Sequence, residues 1–226
     1  MIVRVCKTMR SALSVFKLAT RPPAAVRARG WTLIELAIVL VVIGIILGIV
    51  AATTGKSLIG ASQSQAVQAA VKDLAEAIAR FRERYGYLPG DMPNATTRIP
   101  GVVANSCSVT ANGNGDGQID AAEVACVPNH LFNAGFIKGG TGAITLSQSD
   151  KLITIRAIAR SASSVTTFPT STRNVIELLN IPCRSAQELE AKTDDGNFAS
   201  GNTRASVASC TEGETNDPVP AIAVAL

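Results

Sequence analysis

The sequence predicts an α+β fold in which one long N-terminal helix, membrane-spanning in its first half and amphipathic in its second, packs on a small antiparallel sheet. Three observations carry this. Trp31 to Ala52 is an almost unbroken apolar run. Val67, Val71, Leu74, Ile78, Phe81 and Tyr85 then recur at steps of four and three, the seam of a helix lying against a domain. From Ile144 onward the apolar residues alternate, the period of half-buried strands.

At about 1.5 Å per residue the apolar run spans roughly 33 Å as a helix, matching a bilayer core of about 30 Å. It holds one charge, Glu35. An ionised carboxylate costs about 2.5–3.5 kcal/mol at the bilayer centre and less near its edge, so Glu35 needs a reason to be there. Residues 1–30 read as a basic leader, 31–56 as the membrane half of the helix, and 57–226 as an exposed domain that includes the amphipathic half. The leader carries Arg4, Lys7, Arg10, Lys17, Arg21, Arg27 and Arg29 and no acid. Such charge stays on the cytoplasmic side and places the rest of the chain outside. The formal charge of +4 therefore belongs to the leader; without its seven cations, 14 basic residues of the 21 face 17 acidic ones, a net of −3. Nothing in that balance indicates nucleic acid.

Gly30-Trp31-Thr32-Leu33-Ile34-Glu35-Leu36, followed by the apolar run, resembles the cleavage and methylation signature of type IV pilins and of the pseudopilins of type II secretion systems. Tryptophan stands where phenylalanine is usual. The resemblance implies a pilin-like fold and a structural, non-enzymatic role as a filament subunit. A prepilin peptidase would cut between Gly30 and Trp31 and methylate the Trp31 nitrogen, and an inner-membrane platform with its ATPase would assemble the subunit with copies of itself or related pilins. The chain would sit as a single-pass protein in a bacterial inner membrane, then in a periplasmic or cell-surface filament. Glu35 would pair with the Trp31 ammonium of a neighbouring subunit. Such a pair at 4 Å is worth about 4 kcal/mol at an effective dielectric near 20, before desolvation. Either Met1 or Met9 as the start gives the same processed chain. The mid-span proline common in these pilins is absent, with Ala52 in its place, and Gly44-x-x-x-Gly48 fits close helix pairing. A membrane-anchored extracytoplasmic binding protein that does not polymerise is the alternative.

Gly86, ahead of Leu88-Pro89-Gly90-Asp91, predicts a left-handed cap and a stop to the long helix. Removing the leader takes Cys6 with it and leaves Cys107, Cys126, Cys183 and Cys210, an even set in a disulfide-permissive compartment. Three pairings are possible; Cys107 with Cys126 and Cys183 with Cys210 is favoured, because each closes a local loop. A zinc site fits less well, since there is no C-x-x-C and His130 is the only histidine.

Residues 112–123, NGNGDGQIDAAE, have the spacing of a twelve-residue calcium loop, with Asn112, Asn114, Asp116, Gln118, Asp120 and Glu123 as candidate ligands and glycine at position six. Its competitor is a plain Asn/Asp-Gly turn cluster. Glu123 to Ala134 reads as a helix ended by Gly135. Lys151 to Ala159, Val165 to Phe168, Arg204 to Ser209 and Val219 to Leu226 read as strands. Ser185 to Glu188 reads as a capping box opening a helix that runs to about Lys192. Lys192-Thr193-Asp194-Asp195-Gly196 and Tyr85 to Asp91 resemble segments found in a subset of prepilin-type proteins. No nucleophile has a base beside it, Asp194 and Asp195 read as turn formers, and no phosphate loop is present, so an enzyme is not expected.

Overall fold

The computed structural model describes residues 31–148, 151–213 and 215–226. The described chain is mixed helix and sheet. Its first helix, α1, runs Leu33–Tyr85. Two compact units part between Gly48 and Ile49, within α1.

In the first unit and at its junction, Leu33–Val50 is long and apolar enough to cross a membrane, with a mean hydropathy of 3.1 and no residue buried. In the second unit, all six expected seam residues of α1 are buried, joined by Ser64 and Ala77. Phe81 anchors the seam, its ring 4.6 Å from Tyr85 and 6.0 Å from Phe136. Gly86 ends the helix at φ +80° with its N–H donating to Arg82 O at 2.8 Å, as the sequence predicts.

The remaining elements are α2 (Ala95–Arg98), α3 (Cys126–Asn133), β1 (Ile144–Gln148), β2 (Lys151–Ala159), β3 (Asn174–Ile181), α4 (Cys183–Thr193), β4 (Thr203–Ala205) and β5 (Val219–Ala225). The five strands form one antiparallel sheet in the order β1-β2-β3-β5-β4. The seam of α1 belongs to the main core with Ile153, Ile155, Ile176, Leu178 and Ile222, together with Leu189 of α4. A smaller core of Ile158, Val165, Phe168, Val175, Ala221 and Ala223 includes residues of β2, β3 and β5 that alternate with those.

Three sequence expectations change, and one strand, β3, has no counterpart among them. Val165 to Phe168 is not a strand; it packs its apolar side chains in the smaller core. The sheet's central strand is β3, whose first five residues are all buried, so it lacks the alternation that marks half-buried strands. The helix expected from Glu123 begins at Cys126, after a turn. Ser185 does not cap α4, which opens at Cys183 after Pro182. Instead the buried Ser185 hydroxyl meets Ser64 Oγ at 3.3 Å and donates to Gln148 Oε1 at 3.2 Å.

Both expected disulfides are present. Cys107–Cys126 has a Cα separation of 4.9 Å and Cys183–Cys210 one of 5.7 Å, within the ordinary range. His130 lies beside the first bridge, but sulfurs bonded to each other are not the thiolates that zinc requires.

Candidate functional site

At the start of α1, Trp31 and Thr32 precede the first turn. Thr32 O accepts the N–H groups of Glu35 and Leu36, and Thr32 Oγ1 accepts that of Glu35 at 3.3 Å. Thr32 is therefore the N-cap and Glu35 the third helical residue, where a carboxylate also complements the positive end of the helix. Trp31 is 64% exposed and Glu35 is exposed. Gly30, the expected cleavage position, lies outside the described residues together with the rest of the leader.

The second site joins two loops. Residues 112–123 fold as a closed turn system whose centre is a residue that their own spacing does not contain. Asp91, 1% exposed, turns its carboxylate into the loop and accepts three backbone N–H groups: Gly115 at 2.6 Å and Asp116 at 3.1 Å on Oδ1, and Gly117 at 2.9 Å on Oδ2. Such a run of N–H groups is an anion nest. Gly113 makes the approach possible. Its N–H donates to Met92 O at 2.9 Å, and a side chain there would collide with the Asp91 backbone.

The expected calcium ligands are drawn into this network. Asn112 faces away, its Oδ1 accepting Thr96 N–H at 3.0 Å. Asn114 donates its side-chain amide to Asp116 at 3.4 Å and Asp120 at 3.3 Å. Glu123 accepts Asn114 N–H at 2.9 Å and Asp120 N–H at 3.0 Å, and Gln118 donates its N–H to Asp116 at 2.8 Å. No three of Asp91, Asp116, Asp120 and Glu123 bring ligand oxygens within 4.8 Å of one another. The loop's carboxylates are thus spread over its own N–H groups, and Asn112 Oδ1 is engaged by Thr96.

Burial pushes the Asp91 carboxyl above its ordinary range, against the pull of the Gly117 and Gly115 N–H groups and with added repulsion from Asp116. Burial raises Glu123 in the same way, with Asp91 and Asp120 adding to it. His130 ties the other side of the junction. Its Nδ1 accepts Gly90 N–H at 3.0 Å, so the ring proton sits on Nε2 and is donated to Ala111 O at 3.0 Å. Burial holds its pKa below the ordinary value, partly offset by the bond to Ala111.

That arrangement requires a neutral imidazole. The unfolded chain takes up a proton near pH 6.5 while the native ring resists it, so this contribution to stability falls as pH drops below about 6.5, by at most about 1.4 kcal/mol per pH unit. Urea melts at pH 7.5 and pH 5.5 should show the loss in the wild type, and the difference should shrink in His130→Gln. An unchanged difference would remove His130 from the account.

Sequence reasoning missed Asp91 as the organiser of this loop; the only signal was its place after Leu88-Pro89-Gly90, where it reads as a helix stop. Comparison with protein-family models, with curated proteins and with solved structures finds no match for this chain.

Proposed function

We propose that the chain is a structural subunit of a type IV pilus or related pseudopilus, inserted in the inner membrane by its N-terminal helix, cut before Trp31 by a prepilin peptidase and assembled with like subunits. The observation that supports this most is the start of α1: an apolar stretch of eighteen residues, none of them buried, preceded by an aromatic and a threonine cap and including one carboxylate, Glu35, in the first turn. Lipid covers such a surface in one state and neighbouring helices in the other. Glu35 distinguishes them, being costly in lipid and satisfied beside a neighbour's α-ammonium. The disulfide-bonded domain suits a compartment outside the cytoplasm.

Two measurements test the reading. The mass of the protein purified from its host should correspond to a chain starting at Trp31 plus one methyl group; an uncut leader overturns it. Glu35→Ala should still insert and still be cut, while filament assembly falls at least tenfold. Normal assembly by that variant would sink the Glu35 mechanism. A second reading keeps the anchor without polymerisation, and draws on an open groove of about 1270 Å³ lined by Arg82, Tyr87, Asp91, Arg173 and Asn174. It predicts an uncut, unmethylated chain and no effect of Glu35→Ala.

A further inference from the structure

The turn between α4 and β4 holds three carboxylates, Glu190, Asp194 and Asp195, whose oxygens lie within 4.8 Å of one another. Two of them are employed by the turn itself. Asp194 Oδ2 accepts the N–H groups of Asn202 and, at 2.9 Å, of Thr203. Asp195 accepts Asn197 N–H at 2.9 Å on Oδ1 and the Ser200 hydroxyl at 2.8 Å on Oδ2. These bonds explain why the chain turns here; they do not explain Glu190.

Glu190 is 1% exposed, and neither of its carboxylate oxygens has an N–H or O–H donor in place; the group within hydrogen-bond reach is another acid, the Asp195 carboxyl. A buried polar group without a partner is rare in a folded protein, and an ionised one costs several kcal/mol. The neighbourhood makes matters worse, because the groups closest in charge are Asp194 and Asp195. Among the described residues, none of the ion pairs involves them. Lys192 is exposed, and Arg204 donates to Gly201 O and Thr167 O and lies over the Phe168 ring. Burial raises the Glu190 carboxyl first, with Asp195 and Asp194 acting in the same direction and the Asn197 N–H against them. That N–H is already given to Asp195.

We infer that Glu190, Asp194 and Asp195 form a binding site for a hard divalent cation, with calcium as its natural occupant. The donors are all oxygens, which selects calcium or magnesium over zinc or copper. Glu190 offers two oxygens away from water, and a ligand set that leaves little room for retained water suits calcium over magnesium. The carboxylates cluster at the C-terminal end of α4, where the helix dipole adds negative potential. Gly196 and Gly201, at φ +84° and +76°, bend the segment back on itself, and a side chain at 201 would strike the Asp194 carboxylate. This site is separate from residues 112–123, where the carboxylates have partners, and does not depend on the filament reading.

The test uses the full chain in detergent, stripped with chelator. With 1 mM calcium the melting temperature should rise by about 4 °C, for a dissociation constant near 0.1 mM. Native mass spectrometry should find one calcium per chain. Glu190→Gln, nearly the same size but uncharged, should melt at or above the wild type in chelator and lose the calcium shift. Asp120→Asn should keep it. The inference is overturned by no shift with calcium, by a shift that survives Glu190→Gln, or by one that vanishes in Asp120→Asn. Stabilisation on mild acidification with no calcium response would also overturn it, since Glu190 would then share a proton with Asp195 instead.

Discussion

Asp91→Ala is expected to destabilise the exposed domain by about 4 kcal/mol and to lower its Tm by roughly 10 °C. The substitution removes an acceptor of three backbone N–H groups, of which only that of Asp116 keeps another, Asn114 Oδ1 at 2.9 Å, and leaves the middle of the loop held by Glu123 and Asn174. A buried donor left alone costs about 1–3 kcal/mol, and water entering the gap recovers only part of that. Part of the loss is offset, because the raised pKa of Asp91 means that its charge is held at some expense near neutral pH. Asp91→Asn, which keeps one acceptor oxygen, should lose about half as much. The check is urea denaturation of the two variants with the disulfides intact. A loss under 1 kcal/mol for the alanine would mean that the loop holds its shape without the nest.

Arg156→Ala should have a comparable effect from the opposite side of the sheet, about 3–5 kcal/mol. Glu177 lies on the central strand β3, directly across from Arg156 on β2, and is fully buried. Arg156 reaches Glu177 Oε2 with Nε at 2.6 Å and Nη2 at 2.5 Å. The other oxygen accepts the Ser163 hydroxyl at 3.0 Å and Ser164 N–H at 2.7 Å, which fastens the segment after β2 over the sheet. Removing the guanidinium leaves a carboxylate in the interior with two donors and no cation. Buried pairs need not be stabilising when compared with apolar substitutes, so the double variant Arg156→Met/Glu177→Leu should recover most of the loss. Thermal melts of the single and double variants decide this. Equal losses in both would show that packing, not the charge, is what Arg156 supplies.

Glu177 also explains why β3 is hard to read in the sequence. A glutamate in the middle of Asn174–Ile181 suggests a solvent-facing position, yet its partner is supplied by a neighbouring strand, 21 residues earlier in the chain. The same holds for Asp91, whose three donors lie 24 to 26 residues downstream. Ser185 is misread for a related reason: the hydroxyl that resembles a cap is instead part of a buried contact with Ser64, 121 residues away. What is legible is local or periodic. The α1 seam follows from a 3.6-residue repeat, the Gly86 stop from backbone freedom, and each disulfide from short separations of 19 and 27 residues. Calcium-loop spacing is legible as well, but spacing alone does not say whether the oxygens face an ion or the loop's own N–H groups.

Residues 112–123 lie between the two halves of the Cys107–Cys126 bridge and wrap around Asp91. A glycine- and asparagine-rich excursion of this kind is ordinarily where a protease cuts, because the chain there can be drawn out into an extended substrate. Here the ends are covalently joined and the middle is pinned, so the segment cannot be pulled into a cleft without first giving up both. The loop thereby gains resistance to digestion from its topology, although its composition is that of a cleavage site.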